Sequence, residues 1–169
     1  MLRLFSYLVW KAPFRSSYVK DMKSIFDKPT RDQLIGRVRT LREDSTPQWG
    51  KMNVSQMLRH CILSDEMYLG KTVYKRKFLG RIFGKMALKG FIKDEKPVKR
   101  NLRSLPECIV REIHGDLPAE KVKWISVIEE YAHFSHPYSV HPFFGKMTKE
   151  QLGPFVYKHI DHHLRQFNS

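Results

Sequence analysis

Two histidines whose type and spacing could support chemistry lie near the end of the chain. They are His159 and His163, in the run His159-Ile160-Asp161-His162-His163. At 100° per residue, a helix through this run places them one turn apart on one face. The same face carries the apolar residues Leu152, Phe155, Val156, Ile160 and Phe167. Imidazoles at this spacing can coordinate one metal ion, although such pairs also occur without metal. Their place in an apolar stripe favours the metal, since an unpaired buried polar group costs about 1–3 kcal/mol.

A third ligand is predicted from another helix. His60 lies on the apolar side of a helical segment with Val54, Met57, Cys61, Met67 and Tyr68. Without the pair of His159 and His163, His60 would be interpreted as a lone histidine of the core. If the two helices run antiparallel, His60 stands about 10 Å from the start of one, and the pair stands roughly 6–12 Å from the end of the other. This shared level predicts a site formed by His60, His159 and His163.

Helical periodicity predicts the elements that position these residues. Long helices are expected over 29–43, 53–69, 118–133 and 148–167, and a shorter one over 74–88. Two capping-box patterns support the starts of the second and last long helices, Asn53 with Gln56 and Thr148 with Gln151. The proline-rich segment 136–145 is predicted to be a loop, and no strand alternation is persuasive. The expected fold is therefore all-α.

Most of the net charge of +14 lies between residues 71 and 103, where twelve Lys or Arg face only Asp94 and Glu95. The helix within this segment is predicted to pack through Phe78, Ile82 and Met86, and its basic side is predicted to be solvated: Lys77, Arg81, Lys85 and Lys89. Its basic amphipathic pattern is also typical of surfaces that attract anionic substrates or lipid headgroups. No nucleic-acid-binding motif accompanies the charge, so no specific nucleic-acid partner is expected.

Length and composition bound the class of protein. The chain of 169 residues is sufficient for one folded domain, and 41% of it is hydrophobic. No apolar run reaches the roughly 18–20 residues of a membrane span. The two cysteines, Cys61 and Cys108, show no disulfide or metal spacing, which favours the reducing cytoplasm. Residues 1–28 are assigned to an N-terminal extension and residues 29–169 to the domain.

Two longer runs resemble a known family, WGKMNVSQMLRHC and HPFFGKMTKEQLGPFVYKHIDHHLRQF. They resemble the DinB/YfiT-like superfamily, and more narrowly an uncharacterised DinB-related family that ends in HPFFG…KHxxHHLRQF. The resemblance covers about residues 29–168. It implies a DinB-like four-helix bundle with a long crossover, containing the extra short helix, between the second and third helices. It also implies a homodimer.

The resemblance further implies a metal triad at His60, His159 and His163. Relatives bind nickel, zinc or other divalent ions, and some use the metal to activate a low-molecular-weight thiol. Zinc or nickel is therefore expected here, while iron, copper and manganese also fit imidazole ligands or the family's range. The basic crossover and the N-terminal extension depart from the general family pattern. The substrate of a relative therefore cannot be assigned to this protein.

Three protein nitrogens leave an open coordination position, at which a bound water or thiol loses its proton more readily. This position is expected near Trp49, Lys51 and Met52. Gln166 and His162 are candidates for contact with a ligand or substrate, as is Trp49. For Gln166 and His162 the simpler alternatives are a polar residue near a helix end and a partly exposed flank residue. The sequence assigns no catalytic residue.

Three functional hypotheses remain open at this point. The first is an enzyme whose metal activates water or a small thiol for transfer or hydrolysis, acting on a small-molecule substrate. The second is a non-catalytic binding or stress-response module that the metal stabilises. The third is an anionic-surface binder that uses the basic segment 71–103.

Overall fold

The computed structural model describes residues 22–169, so most of the predicted extension lies outside the described residues. The described part is mainly helical. Its five α-helices are α1 (Lys28–Thr40), α2 (Val54–Tyr68), α3 (Phe78–Phe91), α4 (Leu117–Glu130) and α5 (Lys149–Gln166). One antiparallel sheet consists of β1 (Tyr138–His141) and β2 (Gly145–Thr148), and short 3-10 turns cover Pro106–Cys108 and Tyr131–His133. None of the described helices combines the length and apolar character needed to cross a bilayer.

Both predicted capping boxes are confirmed. The Asn53 side chain accepts a hydrogen bond from the Gln56 backbone N–H at 2.8 Å, and Gln56 Oε1 accepts one from the Asn53 N–H at 3.0 Å. Thr148 and Gln151 form the equivalent pair at the start of α5. These reciprocal bonds satisfy N–H groups that have no partner within a first helical turn. They fix where the two histidine-bearing helices begin.

The core forms where helices from distant parts of the chain meet. α2 packs against α4 and α5, and α1 packs against the same two helices. Fully buried side chains fill the space between them, among them Leu34, Val38, Met57, Leu58, Trp124, Ile128, Val156, Ile160 and Leu164. Ile25, ahead of α1, is also buried, and its N–H donates to the Gly153 carbonyl at 3.2 Å. The faces of α2 and α5 that carry the histidines are therefore held against each other.

The predicted packing face of α3 was wrong. Phe78, Ile82 and Met86 are 74%, 58% and 68% exposed, whereas Gly80 and Gly84 are buried. A Cβ atom at Gly80 would lie 2.4 Å from the Phe143 carbonyl oxygen, and one at Gly84 would lie 2.1 Å from it. Only glycine allows two backbones to approach so closely. This close approach turns the glycine face inward and the apolar side chains outward.

Residues 136–145, predicted to be a loop, contribute instead to a short hairpin. Tyr138 pairs with Thr148 and His141 with Gly145. The buried His141 ring holds the turn, because its Nδ1 accepts hydrogen bonds from the Phe143 and Phe144 N–H groups, both at 3.0 Å. Burial, aided by Arg76, lowers the pKa of His141 to about 3, so its ring is neutral and can accept. Strands of four residues are too short to show a convincing alternation in sequence.

Candidate metal centre

The structure brings together the three histidines singled out from the sequence. α2 supplies His60, and α5 supplies His159 and His163. One ring nitrogen from each lies within 4.8 Å of the other two. The ring centroids are 4.8 Å apart for His60–His163 and for His159–His163, and 5.5 Å apart for His60–His159. Three side chains from two helices thus converge on one point.

A backbone carbonyl sets the tautomer of His60. Its Nδ1 lies 2.8 Å from the carbonyl oxygen of Cys108, in the 3-10 turn before α4. A carbonyl can only accept, so Nδ1 must carry the proton and donate. The other nitrogen, Nε2, then has a free lone pair, as a metal ligand requires.

Gln166 sets the tautomer of His163 in the same way. The Gln166 Nε2 donates to the Trp49 carbonyl at 2.7 Å, so its amide oxygen must point the other way. That oxygen lies 3.0 Å from His163 Nδ1, which therefore donates to it. The lone pair of His163 is again left on Nε2. Gln166 was predicted to face the site; it lines a cleft beside the triad and also orients His163.

His159 has no equivalent support. Its Nδ1 is buried and has no hydrogen-bond partner within the described part of the chain. The ring packs edge-on against Tyr68, with centroids 5.7 Å apart. An unpartnered buried nitrogen costs about 1–3 kcal/mol. A cation or water bound to this nitrogen would remove that free-energy cost.

The electrostatics of the cluster keep the rings neutral. Burial lowers the pKa of all three histidines, and it lowers those of His159 and His163 most strongly. The neighbouring rings lower the pKa of His159 and His163 further, because two imidazolium charges at this distance would repel each other. Metal ligation requires deprotonated imidazole, so the cluster is in the required state at neutral pH.

The donor set fits a divalent transition metal. Three neutral imidazoles suit zinc, nickel, copper or iron. On a tetrahedral zinc ion with bonds of about 2.0–2.1 Å, the ligand nitrogens would stand about 3.3 Å apart. The nitrogens here lie within 4.8 Å of one another, so an ion requires the rings to draw together by no more than about 1.5 Å. The group includes no fourth His, Cys, Asp or Glu among residues 22–169.

A cleft of about 430 Å³ opens beside the triad. His60 and His163 line it, together with the residues expected at the open end of the site, Trp49, Lys51 and Met52. Further lining comes from the segment between α3 and α4, including Asn101, Arg103 and Cys108. Two of these side chains, Lys51 and Arg103, are cationic. The Arg100 guanidinium lies over the Trp49 ring at 4.3 Å and adds a third positive charge near this rim.

His162, the third candidate beside the triad, also lines the cleft. Its ring centroid lies 5.4 Å from that of Trp49 and 5.2 Å from that of His163. Burial lowers its pKa, so the neutral ring is favoured. It is thus at the rim of the site, outside the group of three converging nitrogens.

Two other groups near the triad have structural surroundings. The Cys61 thiol is fully buried, contacts Met57 Sδ at 3.8 Å, and has a pKa raised well above its ordinary value by burial. Such a thiol is unreactive. Asp161, on the other side of α5, is buried in ion pairs with Arg37 at 2.7 Å and Arg165 at 2.6 Å. It ties α5 to α1 and is outside the group of three converging ligand atoms.

Asp65 is a buried carboxylate that the sequence analysis did not single out. It accepts hydrogen bonds from Trp124 Nε1 at 2.8 Å and from the Tyr131 hydroxyl at 3.0 Å. Burial raises its pKa from 3.8 to about 7 despite these two donors. The available signal was an acidic residue within the apolar stripe of α2, with a tryptophan and a tyrosine on the apolar face of the helix predicted over 118–133.

Comparison with known proteins identifies the chain by family only. No curated protein and no solved structure matches it. Residues 22–169, all of the described part, match the family described as "Protein of unknown function (DUF1569)". The chain belongs to this family.

Proposed function

We propose that this protein is a DinB-like four-helix-bundle metalloenzyme that binds one divalent ion, zinc or nickel, through His60, His159 and His163. The observation that carries the proposal is the orientation of the rings. Two of them have their protons directed away from the cluster, toward Cys108 and Gln166, which leaves their lone pairs available to one ion. Metal-binding histidines are oriented in this way by hydrogen bonds behind them.

A catalytic role is favoured over a purely structural one. Structural zinc sites are closed by four protein ligands, whereas catalytic sites keep a position open. The group here has three ligands among the described residues, and two of them line a cleft. A bound divalent ion would supply Lewis acidity, which makes a water or small thiol easier to deprotonate at neutral pH. The reaction class is transfer or hydrolysis.

The chain's own residues would bind and orient the substrate. Lys51 and Arg103 give the cleft a positive lining, which attracts a thiolate or carboxylate. The Trp49 ring offers an apolar surface at the rim, where Arg100 stacks on it. Gln166 holds His163 while its other end holds the backbone of Trp49. Substrate binding and ligand orientation therefore share one small group of residues.

Two accompanying proposals concern the whole molecule. The resemblance to the DinB-like superfamily implies a homodimer. A cytoplasmic location is favoured by the cysteines, since both Cys61 and Cys108 are free thiols.

The test is metal content and affinity in purified, chelator-stripped protein titrated with Zn²⁺ and with Ni²⁺. We expect one ion per chain, and we expect at least a hundredfold loss of affinity in His60→Ala, His159→Ala and His163→Ala. His136→Ala is the matched control, because His136 is exposed and lies outside the cluster. Circular dichroism checks that each variant is folded.

Two results would contradict the proposal. Stoichiometric metal that survives all three triad substitutions would remove the site assignment. The second result is a metal ion that binds the triad, resists exchange and does not bind thiol. In Co²⁺-loaded protein, the absorption spectrum would then stay unchanged when a small thiol is added, and the ion would be structural.

A further inference from the structure

A continuous apolar surface faces outward on α3. It consists of Phe78, Leu79, Ile82, Phe83 and Met86, and each of these side chains is at least 48% exposed. At 100° per residue they cover an arc of roughly 140° of the helix. We call this set the outer face of α3. Five large apolar side chains together on one helix are more than the scattered exposed residues of an ordinary surface.

The outer face cannot be buried by rotating the helix. The opposite side is committed to the hairpin turn through Gly80 and Gly84, whose Cβ positions would overlap the Phe143 carbonyl. The chain ahead of the helix is also fixed there, because Lys77 N–H and Arg76 Nε donate to the Pro142 carbonyl at 3.0 and 3.1 Å. The glycine contact therefore presents the outer face to whatever surrounds the protein.

Basic residues flank this face. Arg81, Lys85 and Lys89 form a basic row that follows one border of it and crosses its C-terminal end, and all three are exposed. No Asp or Glu occurs between residues 71 and 93. Lys77 is paired with Glu107, and the Lys85 ammonium contacts the Lys146 carbonyl, which leaves the charge of Lys85 uncompensated. The result is an apolar strip with a cationic border.

From this arrangement we infer that α3 docks on the surface of an anionic phospholipid bilayer. The helix would lie parallel to the membrane with the outer face among the acyl chains and the basic row at the headgroups. A large apolar face bordered by Lys and Arg is typical of helices that lie in the interface. Each basic residue near such a surface adds attraction to anionic lipid. This inference is independent of the proposed metal site.

Charge selects this occupant over two others. A second copy of the chain would bring one basic row against another. Residues 1–21, which lie outside the described part, contain Arg3, Lys11, Arg15 and Lys20 against the single acid Asp21. Either occupant would satisfy the apolar side chains and place like charges together. An anionic membrane satisfies both features at once.

The experiment is co-sedimentation of the full chain with vesicles of phosphatidylcholine alone or with one-third phosphatidylglycerol. We expect binding to the anionic vesicles only, weakened when salt rises from about 0.1 to 0.5 M because surface charges are then screened. Ile82→Ser with Met86→Ser should weaken binding at least tenfold. Arg81→Gln with Lys85→Gln should weaken it roughly 10- to 30-fold.

Matched controls separate this helix from general surface properties. Val122→Ser changes a residue on α4 that is 69% exposed, and Arg39→Gln with Arg111→Gln removes two exposed charges elsewhere. These variants should bind as the unaltered protein does. All substituted side chains are exposed, so folding should be preserved.

Three outcomes would overturn the inference. The first is no binding to anionic vesicles. The second is binding that both α3 variants leave unchanged, which would assign the attraction to another part of the chain. The third is a dimer, measured by light scattering without lipid, that Ile82→Ser with Met86→Ser dissociates.

Discussion

Two of the buried polar residues of α2, His60 and Asp65, lie little more than one helical turn apart and are satisfied in different ways. Each oxygen of Asp65 accepts a hydrogen bond, one from Trp124 in α4 and one from Tyr131 in the 3-10 turn that follows α4. His60 faces α5. Its Nδ1 is paired with the Cys108 carbonyl, and its ring lies beside the imidazoles of His159 and His163. The first group is complete within the protein. The histidine cluster has nitrogen lone pairs that can accept, but the described part of the protein provides no donor or cation for them.

This difference separates a structural polar group from one that we propose to be functional. A fully paired buried network contributes to a unique packing arrangement. A cluster of lone pairs that face each other is unfavourable until something binds between them. Burial alone therefore does not distinguish the two groups. The hydrogen-bond partners of each polar atom do distinguish them. Experiments that perturb each group separately should give effects of different kinds.

The largest effect is expected at Asp65, in the dependence of stability on pH. Burial raises its pKa from 3.8 to about 7, so the folded protein holds this proton more tightly than the unfolded chain. The stability from this group is complete below pH 4 and is lost as pH rises through 7. Between pH 5 and 8, the free energy of unfolding should fall by roughly 2–3 kcal/mol more in the unaltered protein than in Asp65→Asn.

Urea unfolding of metal-free protein at several pH values would measure this difference. The buried histidines act in the opposite direction, because their lowered pKa values destabilise the fold as pH falls below about 6.5. They are present in both proteins, so their contribution cancels in the comparison. Parallel pH profiles for Asp65→Asn and the unaltered protein would show that the Asp65 carboxyl is not perturbed.

A smaller effect, on metal affinity, is expected from Gln166→Ala. This change removes the acceptor that holds the Nδ1 proton of His163. Loss of such a supporting hydrogen bond reduces metal affinity about 10- to 100-fold. Isothermal titration with Zn²⁺ would measure it, with Gln33→Ala, at an exposed position of α1, as the control. Unchanged affinity would mean that Gln166 does not orient the ligand.

The smallest effect is expected at Cys61, which adjoins His60 in sequence. Its thiol is buried against Met57 and does not belong to the converging group. Cys61→Ala should leave Zn²⁺ affinity within about twofold and lower stability by roughly 1 kcal/mol through lost packing. A tenfold loss of affinity would instead add this sulfur to the ligand set.

Local patterns in the sequence predicted the parts of the molecule that depend on local geometry. The spacing of His159 and His163, and both capping boxes, follow from the helical repeat within a few residues. The position of His60 at the same height along the helix axes as His159 and His163 followed from the number of residues in each helix. The outward rotation of α3 did not, because it depends on contact between two glycines and Phe143 from a distant hairpin. Periodicity identifies an apolar face but not what covers it.

Asp65 and Gln166 illustrate the same limit for side chains. The Asp65 partners lie on α4 and in the turn that follows it, and the Gln166 partner Trp49 precedes α2. Whether a polar side chain in an apolar stripe is a defect, a ligand or a satisfied group depends on atoms that only the tertiary structure brings near. For His60, the carbonyl of Cys108 is such an atom.

The bond between Gln166 and Trp49 also bears on when the site forms during folding. It joins residues 117 positions apart in the chain, and it determines which nitrogen of His163 carries the proton. Contacts of such long sequence separation close late, because the entropy of a long loop must be overcome first. Neither helix by itself presents a correctly prepared set of ligands. Metal capture should accordingly follow the docking of the last helix, and the ion would then lock a fold that is already assembled.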